Sequence, residues 1–96
     1  MSQETIWKYL IPLAQIAQGE LEVQMPRGAQ PLTVALQEGI ATMWAKVQPD
    51  AEQIARAFCV RSTGQPLTGR EGRYIGTFQQ GDLVSHLFEV AQSQQR

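Results

Sequence analysis

Between Arg61 and Arg73 the chain gathers Arg61, Ser62, Thr63, Gly64, Thr68, Gly69, Arg70, Gly72 and Arg73 into one short segment. Guanidinium groups hold phosphate or carboxylate through paired hydrogen bonds. Backbone N–H groups around glycines form concavities that accept anions, and the Ser and Thr hydroxyls add donors. The chemistry these residue types offer is capture of a small anion. The competing reading is a solvated turn in which Gly and Pro serve geometry alone. The spacing matches neither a phosphate-binding loop nor a dinucleotide fingerprint, both of which need other glycine intervals and a following helix.

Aromatic residues are the second resource. Trp7, Tyr9, Trp44, Tyr74 and Phe78 have the surfaces to stack a base or wall an apolar pocket, although most such residues in a small domain are core. Trp44 alternates with Met43 and Ala45 and shares a face with Thr42 and Lys46, so it is expected at the surface or an interface. Tyr74 follows the Arg73 end of the loop directly. His86 is the only histidine, between Val84 and Phe88 on an apolar strand face, and reads as a hydrogen-bonded structural residue rather than a general base. Glu89 shares its strand but alternates to the other face. With one His, one Cys and no paired ligand spacing, no metal site is expected. No catalytic constellation stands out, so the chain reads as a non-enzyme with no cofactor.

The elements that must position these groups fit a single domain spanning all 96 residues. Hydrophobic residues make up 43% of the chain, enough for a core but not a large one, so oligomerisation would help. The formal net charge of -1 argues against duplex nucleic acid, whose binders carry a basic excess. Cys59, alone and inside Phe58-Cys59-Val60, reads as a small core hydrophobe and fits a cytoplasmic setting. The first residues lack the basic and small-residue features of a signal peptide, and no apolar run approaches the roughly 20 residues of a membrane span.

Alternation and turn residues divide the chain into short strands. Thr5–Ile11 is β-branched and aromatic and stops at Pro12. Leu13–Gly19 reads as a loop or one short helical turn. Leu21–Met25, Pro31–Gln37 and Ile40–Val47 alternate, with Glu38-Gly39 as a hairpin turn. Gln53–Ser62 favours strand, though Pro49–Glu52 would also suit a helical start. Tyr74–Gln79 alternates, and Leu83–Ala91 is apolar on both faces, which suggests a central or contact strand. Six or seven strands at this spacing predict an all-β antiparallel sandwich or barrel.

Several of these segments occur together in a recognisable order: TIWKY, MPRGA at Met25–Ala29, MWAKVQP at Met43–Pro49, the STGQPL turn, YIGTFQ and SHLFEV. In that order the chain resembles an uncharacterised family of short phage and bacterial proteins, a domain of unknown function. Its pattern runs WKY, MPxGA, WAxV, GTGxP, YIGTFQ and HxFE. This chain has Ser62-Thr63-Gly64 where the family has Gly-Thr-Gly, and a few extra residues within Leu13–Gly19. The resemblance implies a small β-rich phage-type protein and supplies no activity.

The leading functional expectation is a binder that sequesters an anionic, nucleotide-like signal, in a phage setting to counter host defence. It works as a dimer, with Leu83–Val90 as a contact strand. Its ligand groups would be Arg61, Ser62, Thr63, Gly64, Arg70, Arg73, Tyr74 and Trp44, and loss of Arg61 or Arg73 would weaken binding without unfolding. The alternative is an inhibitor or accessory factor that engages a host protein through exposed Trp and Arg side chains.

Overall fold

Alternation of apolar and polar residues, punctuated by Gly and Pro, lays down the strands, and the computed structural model describes residues 3–91. In chain order the elements are β1 (Thr5–Ile11), α1 (Leu13–Gln18), β2 (Glu20–Pro26), β3 (Gln30–Gln37), β4 (Ile40–Val47), β5 (Gln53–Ser62), β6 (Glu71–Gln80) and β7 (Leu83–Val90). The protein is all-β with one short helix. Its strands form two antiparallel sheets, one ordered β1-β4-β3 and the other β2-β5-β7-β6.

The residues before β5 form a turn, with the Ala51 N–H donating to the Gln48 carbonyl at 3.0 Å. The helical start that Pro49–Glu52 would also have suited is therefore not taken. Apolar β-branched and aromatic residues beyond it leave more area to bury as a strand.

The β3–β4 connection is a two-residue hairpin. Gln37 pairs with Ile40, and both loop residues have positive φ, 52° at Glu38 and 80° at Gly39. A type I′ turn needs this pair of angles, because its twist matches that of the strands. Glu38 is the only described non-glycine residue with positive φ.

The core lies between the sheets. Ile11, Met43, Ala45 and Val47 from one sheet meet Leu21, Met25, Phe58, Val60 and Leu87 from the other. The sheets come closest where β3 passes β6. A Cβ added to Gly76 would lie 2.9 Å from a Val34 methyl and 3.3 Å from the Val34 N. Glycine is there because the two backbones leave no room for a side chain.

Strand β7 lies between β5 and β6 and exchanges ladder hydrogen bonds with both. The central placement expected for it is correct. Its backbone therefore has no free edge for pairing with another strand.

Gly76→Ala should destabilise the fold by roughly 1–3 kcal/mol through overpacking. Chemical denaturation checks this. Unchanged stability would mean that β3 and β6 separate without penalty.

Candidate functional site

The outer face of the four-stranded sheet follows from its register. Directly paired residues share a face, so Glu20, Cys59, Arg61, His86, Phe88, Thr77 and Tyr74 all point away from the core. The segment from Thr63 to Arg70 folds back over part of this face. The placement of Arg61 explains how.

Arg61 is only 5% exposed. Its Nε donates to Glu71 Oε2 at 2.6 Å. Its Nη1 donates to the carbonyls of Gly19 and Val60, and its Nη2 to Thr68 Oγ1. Glu71 receives more than the guanidinium. The Thr68 N–H donates to it at 3.1 Å, the Thr68 hydroxyl at 3.2 Å and the Gly69 N–H at 3.0 Å. Burial by itself would raise the Glu71 pKa. The Thr68 N–H, its own N–H, the Arg61 guanidinium and the Gly69 N–H outweigh burial and hold it down to about 2.

The donors of the loop are thus turned onto the chain's own carboxylate, Glu71. Arg61 is not available to a ligand unless Glu71 is displaced.

The neighbouring residues are likewise engaged. Arg70 grips Glu20 through two hydrogen bonds of 2.6 and 2.9 Å, which hold the Glu20 carboxyl below the usual range. The Ser62 N–H donates to the Gln65 side chain and the Thr63 N–H to the Val84 carbonyl. Gly64 provides the turn, with φ of 92°. Beneath the cluster Cys59 is fully buried, and burial pushes its thiol pKa up, consistent with a packing role.

His86 sits in a hydrogen-bonded row across the same face. Its Nε2 meets Thr63 Oγ1 at 2.8 Å and its Nδ1 meets Thr77 Oγ1 at 2.9 Å. The Tyr74 hydroxyl bonds Thr77 in turn, and its ring packs edge-on against Phe88. Thr63 and Tyr74 thus belong to this row and stand apart from the arginine cluster. Trp44 lies half-buried on the other sheet, paired with Lys8 and Thr33, so it does not join the remaining expected ligand residues.

Arg73 leads to a different place. At the end of the sandwich where β5 and β6 begin and β7 finishes, a cleft of about 460 Å³ is lined by Arg27, Gly28, Ile54, Arg56, Arg73, Glu89, Val90 and Ala91. Arg56 is fixed there by a two-pronged pair with Glu89, at 2.6 and 3.0 Å, and by the Ala29 carbonyl at 2.9 Å. Arg27 is exposed and bonds Glu52 at 3.2 Å. Arg73 is exposed and touches only the Pro31 carbonyl, at 3.3 Å. Among the described arginines it alone has no carboxylate partner.

Arg56 also acts on Tyr9, whose hydroxyl is buried without a hydrogen-bond partner. Burial raises the Tyr9 pKa, and the positive charge of Arg56 pulls against it.

Arg27 and Arg56 stand 29 positions apart, counting from 27 to 56, and it takes the β2–β5, β5–β7 and β6–β7 pairings together to bring them to one place with Arg73. The MPRGA turn was the one available signal for Arg27. Among the described residues no cluster of His, Cys, Asp or Glu could hold a metal ion, and no helix is long and apolar enough to cross a membrane.

Two antiparallel sheets with a short helix, a self-neutralised arginine loop and a cationic cleft define a small all-β domain. The chain belongs to the family described as Domain of unknown function (DUF7352), whose model matches residues 2–96. No curated protein and no solved structure matches it.

Arg61→Ala should lower the melting temperature by roughly 10 °C or more, since it strands a carboxylate enclosed by the loop. A shift of a degree or two by calorimetry would contradict the clamp. Acid should act through the same pair. Glu71 has a depressed folded pKa, so its stabilisation is complete above the usual carboxylate range and is lost as pH falls toward about 2. Melting temperature measured across that window should fall less steeply in Glu71→Gln than in the unmodified chain.

Proposed function

We propose that the protein is a non-enzymatic binder of a small anionic ligand, taken up in the cleft between Arg27, Arg56 and Arg73. The observation that carries this reading is Arg73, a guanidinium without a carboxylate partner that lines the cleft beside Arg56, paired with Glu89, and Arg27, paired with Glu52 at the surface. Arg56 is preorganised by its fixed partners, while Arg27 and Arg73 are exposed enough to close on a ligand. Phosphate matches the fork of a guanidinium. Ile54 and Val90 supply an apolar wall for a ring, and the volume falls in the range of small-molecule sites.

A nucleotide combines those two requirements. In a phage-type setting such a protein would withdraw a nucleotide signal from a host defence response. This biological step draws on the sequence resemblance alone.

A second reading, a factor that engages a host protein, draws on the Trp7 side chain, which remains 38% exposed. Trp7→Ala should then abolish capture of such a partner while leaving nucleotide affinity intact.

Titration calorimetry with a panel of mono- and dinucleotides tests the cleft. Arg73→Ala and Arg27→Ala should each weaken binding about tenfold or more without a change in melting temperature, and added salt should weaken it further. Equal affinity in both variants would remove the cleft as the site.

A further inference from the structure

Strand edges decide where a β protein meets other chains, because an unpaired edge presents a row of free N–H and C=O groups. Four strands end a sheet here: β1 and β3 in one, β2 and β6 in the other. The edges of β3 and β6 close on each other at Val34 and Gly76. The β2 edge bears Glu20 and Glu22 and finishes at Pro26, all devices that discourage pairing.

β1 carries none of these protections. It runs from Thr5 to Ile11 without proline, carboxylate or irregular register. Its single charge, Lys8, is drawn across β4, where Nζ donates to Gln37 of β3 at 2.9 Å. That leaves the outward margin of the strand apolar. Ile6 is 58% exposed and Leu10 53%, and Leu10 continues into Leu13 and Ile40 around a shallow apolar pocket of about 340 Å³.

Ile6, Leu10, Leu13 and Ile40 are each 44% or more exposed along this margin, and Trp7, 38% exposed, stands on the inner face of the same strand. A standard interface takes ~800 Å² from each partner, so the backbone of β1 and its polar neighbours would join these side chains in the contact.

We propose that two copies of this chain pair through β1, antiparallel about a two-fold axis, to make one continuous six-stranded sheet in the order β3-β4-β1-β1-β4-β3. An isologous contact requires a self-complementary strand. Centred on Lys8, the pairing keeps all seven residues of β1 in register. It sets Ile6 opposite the partner's Leu10 on the outer face and Trp7 opposite the partner's Tyr9 on the inner face. The two Lys8 ammonium groups stay apart because each is held over its own sheet by Gln37. This moves the dimer contact expected from the sequence away from β7 and onto the other sheet.

Light scattering on the full chain across the micromolar range tests the pairing, and it uses no anionic ligand, so its outcome is independent of the cleft. The expected mass is twice the 10.7 kDa of the chain. The double change Ile6→Glu with Leu10→Glu should give the monomer mass with an unchanged circular dichroism spectrum, since both side chains are exposed. Leu83→Glu, exposed at the far hairpin, should remain dimeric. Hydrogen exchange on the unmodified protein gives a second reading, with the outward amides of β1 protected. A 10.7 kDa mass at every concentration, or rapid exchange of every outward β1 amide, would overturn the proposal. So would a dimer that survives the double change.

Discussion

The carboxylate of Glu71, enclosed by Arg61 and by the amides of Thr68 and Gly69, is the constraint on which the rest of the site depends. A segment from Thr63 to Arg70, rich in Gly and hydroxyl residues, has no apolar face with which to hold itself to a sheet. It is held by a charge instead. A carboxylate in so closed a position would be unfavourable in isolation, and an arginine likewise. Each is stable because the other is present and because loop amides and carbonyls complete their hydrogen bonding. The pair also reaches back along the chain, since Arg61 donates to the Gly19 carbonyl and so ties the end of α1 to β5.

That clamp redistributes the positive charge of the protein. Arg61 and Arg70 are neutralised on the outer face of the four-stranded sheet by Glu71 and Glu20. The arginine left without a carboxylate, Arg73, emerges from the start of β6 at the end of the sandwich, beside the paired Arg27 and Arg56. The loop and the cleft are coupled through two residues of backbone, from Glu71 to Arg73. The packing around Gly72 is tight, because a Cβ there would lie 2.8 Å from the Glu89 carbonyl. Fixing Glu71 therefore fixes the point from which Arg73 extends. The arginine cluster seen in the sequence is in effect the support for a cationic cleft rather than the cleft itself.

How much was legible follows the range of the interactions. Strand positions were readable because alternation is local: Thr5–Ile11, Ile40–Val47 and Gln53–Ser62 fall where the pattern puts them. Anion-binding chemistry in the loop was readable too, because it follows from residue type. What the sequence did not reveal was the occupant. Glu71 looked like one carboxylate among several, and only the fold of the loop brings it under Arg61. The cleft was invisible for the same reason, with Arg27, Arg56 and Glu89 on three separate strands or turns. His86 reads from the sequence as hydrogen-bonded, as it is, yet its partners, Thr63 just past the end of β5 and Thr77 within β6, follow only from the strand pairing.

The two sheets also differ in how they end, and the difference has a physical origin. The four-stranded sheet has charged side chains on its outer face that are satisfied by one another, so it needs no further cover. The three-stranded sheet has Ile6, Leu10 and Ile40 exposed near its β1 edge, and the one charge of β1, Lys8, leans inward over the sheet. In a chain of this size the buried fraction of surface is limited, and an edge of this composition would be selected against unless something covered it. The proposed two-fold pairing of β1 would cover it with a second copy of the same strand. It also leaves the cationic cleft open, because Arg27, Arg56 and Arg73 all belong to the other sheet or its turns. Assembly and ligand capture would then use opposite layers of the same sandwich, so neither interferes with the other.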